Sequence, residues 1–97
     1  MQHTLENKKM TLFFEGELNS FNADDVEKEI ENIFKGIDVD AIVLDMEKLN
    51  YISSAGLRII VRLKQRCNDV SLVKVPQGVY DIFTMVGFQN LLSIEKL

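Results

Sequence analysis

The chain has 97 residues, 46% hydrophobic and 27% charged, and a net charge of −4; these values describe an ordinary globular protein. A chain of this length suits one domain spanning residues 1–97, which buries roughly 60–65% of its unfolded surface and has no room for an elaborate active-site cavity. The acidic balance argues against nucleic acid as a partner, because neutralising phosphates requires a basic patch, and the one dense basic run, Arg58 to Arg66, reads as a solvated surface.

In chain order, residues 2–6 and 9–15 read as two strands joined by a tight turn at Asn7-Lys8, the second stopping at Gly16. Residues 23–35 predict a helix, with Val26, Ile30, Ile33 and Phe34 forming one apolar stripe. Asn22 is its candidate cap and Gly36 its stop. Ala41 to Leu44 is an apolar run too short for a helix, the mark of a strand covered on both faces. It is followed by a connection, Met46 to Ser53, and a second helix over 54–66 with Leu57, Ile60, Val61 and Leu63 inward. Residues 70–75 predict a strand. Pro76 opens a third helix with the stripe Val79, Ile82, Phe83 and Val86, closed by Gly87, and residues 91–94 suggest a last short strand. The order ββαβαβα, with an optional final β, implies an α/β fold: a small mixed β-sheet with helices packed against it and right-handed crossovers between parallel strands.

Few residues suit chemistry. The sole histidine, His3, falls in an edge strand with nothing to pair it with a serine, so nucleophilic catalysis lacks its base. No His/Cys/Asp/Glu cluster has metal-ligand spacing. The five glycines are scattered as element stops, so no phosphate loop and no cofactor are expected. Asp45 and Glu47 stand at a strand end, where open α/β sheets often bind ligands, but a solvated or capping carboxylate is the simpler reading. Cys67 has no disulfide partner and reads as an inert thiol. The start of the chain lacks the apolar run of a signal peptide, and nothing approaches the ~20 apolar residues of a membrane span, so a cytoplasmic protein without membrane contact is expected.

The informative segment is Tyr51 to Leu57, where Ser53-Ser54-Ala55-Gly56 opens the second helix. Ser53 has the chemistry of an N-cap, and Ser54 then falls at the first helical position, on the exposed rim. Ala55 and Gly56 are expected to leave the backbone unshielded for a partner. A phosphate here would add about −1.5 to −2 charges. The helix dipole would tolerate them, so the surface would change without unfolding. Spacing alone supports either a plain cap or an addressable hydroxyl, and the pair can hold both.

The stretch Ile42 to Asp45, followed by Ser53-Ser54-Ala55-Gly56-Leu57-Arg58, resembles the signature of STAS domains, particularly the bacterial anti-sigma factor antagonists. The resemblance extends to Gly16-Glu17-Leu18-Asn19 and to Val86-Gly87-Phe88, and the family's element order covers residues 2–95. It implies a non-enzymatic regulator of transcription that works by partner switching. In the unmodified state such a protein binds an anti-sigma factor that is also a serine kinase, and so frees the sigma factor. Phosphorylation, mapped here to Ser54, releases it, and a PP2C-type phosphatase resets it. The implied docking surface is the loop after Gly16 with Asn19, the segment from Asn50 and Tyr51 through Ser53, Ser54, Ala55 and Gly56, and the exposed helix face carrying Arg58. A weak homodimer is a further expectation.

Three departures stand out. Ser53 replaces a frequent Asp, Asn19 stands where Asp is common, and a terminal helix of many members is absent or shortened at Leu97. Two rival readings are a STAS scaffold or transport accessory in which Ser54 only caps, and a ligand-binding or catalytic domain using Asp45 and Ser54.

Overall fold

The computed structural model describes residues 1–97. Its elements are β1 (Gln2–Glu6), β2 (Lys9–Leu18), α1 (Ala23–Phe34), β3 (Ala41–Ile52), α2 (Ser54–Arg66), β4 (Val70–Val75), α3 (Gln77–Met85), a short 3-10 helix (Phe88–Asn90) and β5 (Ser93–Lys96). The five strands form one sheet in sequence order, β1-β2-β3-β4-β5. β1 is antiparallel to β2 and every other pair is parallel, so the mixed α/β fold expected from the sequence is present. β–α–β crossovers between parallel strands are right-handed as a rule, so three successive ones stepping the same way put α1, α2 and α3 on one face of the sheet.

That face carries the core. Met10, Leu12, Phe14, Ile42, Leu44, Met46, Val70 and Leu72 are buried beneath the helices. The intervening row Thr11–Val43–Ser71–Ser93 points to the other face and is half-buried or exposed. The β1–β2 turn is closed by Asn7 (φ 51°) and Lys8 (φ 63°), the two left-handed positions of a type I′ hairpin. Cys67 is buried with its thiol 3.4 Å from the Asp40 carbonyl.

Several boundaries differ from expectation, each for a physical reason. β2 does not stop at Gly16 but passes through it to Leu18. Gly16 adopts φ +77° between two register shifts at which β3 carries the extra residue, so it is the point where β2 bends to follow the bulged β3 rather than an end. β3 is longer still: the expected connection from Met46 onward is strand as far as Ile52. Its buried residues Met46, Leu49 and Ile52 recur every third position, because the bulges break the alternation that marks a strand in sequence. In α2 the buried face is Gly56, Ile59, Ile60 and Leu63, so Ile59 replaces the expected Leu57 and Val61, which are half-buried. α3 buries Val79 and Phe83, while Val86 lies past its end and is exposed. The Phe83 and Phe88 rings stack at 5.5 Å and pin the chain below α3, and the final strand forms two residues later than expected.

Candidate functional site

The site lies where β2 and β3 end side by side. Leu18 and Ile52 are register partners, and the amide of Ser53 donates to the Leu18 carbonyl at 2.9 Å. Both strands therefore release their loops at the same point. From β2 comes Asn19 to Asn22; from β3 comes Ser53 and then α2.

The β2–α1 loop is tied by two asparagines. Asn19 Oδ1 accepts from the amides of Phe21 (2.9 Å) and Asn22 (3.3 Å). Asn22 Oδ1 accepts from the Asn19 amide at 2.9 Å, and its Nδ2 donates to the Glu17 carbonyl at 2.7 Å. Asn22 occupies the N-cap position of α1 but makes no side-chain cap; it closes the loop instead. Asn19, read from the sequence as a partner contact, is thus also the organiser of this loop. At its tip Phe21 is 94% exposed, an apolar ring held in water by a rigid turn. Sequence reading passed over Phe21, although a lone aromatic within Asn19-Ser20-Phe21-Asn22 was the available signal.

Across the strand ends, Asn50 is exposed and Tyr51 is 46% exposed. Tyr51 pairs with Glu17, while Asn50 has no register partner because the second shift falls there. Ser54 is exposed and is the first residue of α2. Arg58 is exposed one turn further along. Ala55 is half-buried.

Two expected roles are corrected. Ser53 sits at the N-cap position in extended conformation, but its side chain makes no capping bond; its Oγ is buried without a hydrogen-bond partner. The helix is started by the backbone, with the Leu57 amide donating to the Ser53 carbonyl at 3.0 Å. Gly56 does not expose the backbone to a partner either. It is buried, and a Cβ there would lie 2.7 Å from Ile52 Cγ1 and 2.8 Å from Leu18 Cγ. Glycine lets the first turn of α2 lie directly on the two strand ends, which is what turns Ser54 outward.

The basic run of α2 is not simply solvated. One Nη of Arg62 reaches both carboxylate oxygens of Glu27 (2.5 and 2.7 Å), and one of Arg66 reaches both of Glu31 (2.9 and 2.8 Å). The Glu27 hydrogen bond, then its charge, raise the Arg62 pKa above its ordinary value.

Asp45 and Ser54 are not brought together. Seven strand positions separate Asp45 from Ile52, about 23 Å at roughly 3.3 Å per residue. Asp45 is 8% exposed; its Oδ1 accepts from the Glu47 amide at 3.1 Å and its Oδ2 lies 3.8 Å from Lys74 Nζ. It borders a groove of about 570 Å³ with Phe13, Glu15, Glu47 and Lys74, and Ser54 is not part of that lining. His3 lies in β1, opposite Leu12, and does not line that groove either.

The family model for the STAS domain matches residues 2–96. The chain belongs to the STAS-domain family. A relative in Bordetella bronchiseptica, BtrV, provisionally named as an anti-sigma factor antagonist, is 33% identical over 87 residues, covering 84% of this chain and 73% of its own length. That relative places this STAS domain on the anti-sigma factor antagonist branch, whose members are regulators rather than enzymes. Among solved structures, a Thermotoga maritima protein with the same provisional name superimposes at a TM-score of 0.85 with 20% identity, covering 99% of this chain and 86% of that one. The anti-sigma factor antagonist SpoIIAA in its unphosphorylated form gives 0.80 with 15% identity, covering 96% and 85%. At such identities these two speak for the fold. No helix of this STAS domain is long and apolar enough to cross a membrane.

Proposed function

We propose that this STAS domain is an anti-sigma factor antagonist of the cytoplasm, acting as one unit over residues 1–97, in which phosphorylation of Ser54 switches partner binding off. The observation that carries the reading is the exposed Ser54 hydroxyl at the first position of α2, beside the exposed Asn50, Tyr51 and Phe21. The kinship with BtrV supports the partner class, an anti-sigma factor; in the proposed switch that factor is also the serine kinase.

The mechanism follows from the site. Unmodified, the start of α2 from Ser54 to Leu57 carries no charged side chain, and it has aromatic anchors near it at Phe21 and Tyr51 of the kind that dominate interface energetics. The kinase transfers the γ-phosphoryl of ATP to Ser54 Oγ: an O–P bond forms, the bond to ADP breaks, and the hydroxyl proton leaves. The new charge of about −2 is desolvated if the partner stays docked, and dissociation relieves that cost. A PP2C-type phosphatase hydrolyses the ester and restores the first state. Because Ser54 is exposed at the helix start, the core beneath it is untouched.

The test is incubation with the kinase-type protein encoded nearest to this gene, with ATP, followed by mass spectrometry. Phosphate on Ser54, and a Ser54→Asp variant bound on the order of tenfold more weakly, are the expected results. No phosphate on Ser54, together with unchanged binding by Ser54→Asp and Ser54→Ala, would leave a constitutive STAS scaffold instead.

A further inference from the structure

α1 and α2 are joined by two ion pairs in step. Glu27 meets Arg62, and one turn on Glu31 meets Arg66; both pairs are 35 residues apart in sequence, so the helices run parallel and in register. The same register carried one turn towards the helix starts puts Arg58 opposite position 23. That residue is Ala23, uncharged and buried. Arg58 is therefore the arginine of the row 58, 62, 66 that has no acid on α1, and it takes part in none of the ion pairs of the structure. Four residues before it on α2 stands the exposed Ser54.

We infer that Arg58 is the receptor for a phosphate carried on Ser54, completing the row with a third charge pair where α1 offers no carboxylate. The inference rests on the proposal that Ser54 is modified. Residues four apart on a helix are neighbours, and an anion placed N-terminal to a cation is the favourable orientation. A phosphate monoester offers three acceptor oxygens that match the guanidinium fork. Of the acids on α1 facing this row, Glu27 and Glu31 are occupied. Asp24 is felt by Arg62, and its charge opposes a phosphate rather than holding it. At the neighbouring strand ends the ionisable side chains are Glu17 and Tyr51, and neither supplies a cation at neutral pH. Arg58 is thus the unengaged cation within one turn of Ser54 on its own helix. Modification then changes the surface twice: it adds negative charge at position 54 and withdraws a free cation at position 58 from the partner.

The test needs no kinase. Phosphoserine is installed at position 54 during translation of the full chain, and its second ionisation is followed by phosphorus NMR against pH. With Arg58 present the titration midpoint should lie about half a pH unit below that of the Arg58→Gln variant, with Arg58→Lys between them. Circular dichroism of the unmodified Arg58→Gln chain should show an unchanged melting temperature, because Arg58 is exposed and unpaired. Coincident midpoints for the Arg and Gln forms would overturn the inference while leaving Ser54 as the modified residue. A kinase that ignores Ser54 would remove the proposed switch without moving these midpoints.

Discussion

Ser53 and Gly56 carry lessons that neighbouring residues in the same motif do not share. A serine at an N-cap position ordinarily contributes about 1 kcal/mol through its bond to the first-turn amides. Here that bond is absent and the Oγ is buried without a partner, which costs rather than contributes. Ser53→Ala should therefore change unfolding free energy by no more than about 0.5 kcal/mol, or raise it slightly. A loss of about 1 kcal/mol or more in urea titrations would show that the hydroxyl does cap the helix in solution. Gly56 behaves in the opposite way. Its position meets Ile52 and Leu18, both almost fully buried, at distances no real Cβ tolerates. Gly56→Ala should cost about 1–3 kcal/mol by forcing the strand ends and α2 apart, measured by the shift in urea midpoint at constant slope. The place of Ser54 was legible from the sequence because a cap position followed by a first helical residue is a local pattern. The inward turn of Gly56 was not, since a residue without a side chain leaves no apolar signal of the face it occupies.

At the scale of elements, α1 and α2 were legible as amphipathic helices, but their mutual contact was not. Periodicity reports which side of a helix is apolar; it does not report that Arg62 and Arg66 reach Glu27 and Glu31 across 35 residues. Arg66 also lies over the Phe34 ring, 4.9 Å from its centroid, so it joins the helices by two different interactions. Exposed ion pairs contribute about 0.2–1 kcal/mol and are screened by salt, whereas the cation–π contact contributes about 0.5–1 kcal/mol. Arg66→Gln should accordingly destabilise more than Glu31→Gln in chemical denaturation. In about 1 M salt the Glu31→Gln effect should vanish while part of the Arg66→Gln effect remains. Equal losses for the two variants at both salt concentrations would mean the aromatic contact contributes nothing. The length of β3 was hidden for a comparable reason. Its second half pairs with β2 through two register shifts, and Met46, Leu49 and Ile52 then read as an irregular connection rather than a strand.

The molecule as a whole puts one face of its sheet and the ends of two of its strands to different uses. Three helices on one face of a five-stranded sheet seal the core, while the ends of β2 and β3 present Phe21, Tyr51 and Ser54 together. Family and element order along the chain were legible because the motif around Ser54 and the alternation of strands and helices are sequential features. The rigid Asn19–Asn22 turn, the outward Phe21 and the separation of Asp45 from Ser54 were not, because each depends on where β2 and β3 stop relative to one another. The proposed switch would act on a surface already held in shape by the strand ends, so a phosphate on Ser54 would have only to change its charge. The most direct measurement is calorimetric titration of the kinase-type partner with the unmodified chain and with the chain carrying phosphoserine at position 54, at equal salt. A loss of affinity on the order of tenfold or more, with the circular dichroism spectrum unchanged, is the predicted result; equal affinity for the two forms would contradict the switch.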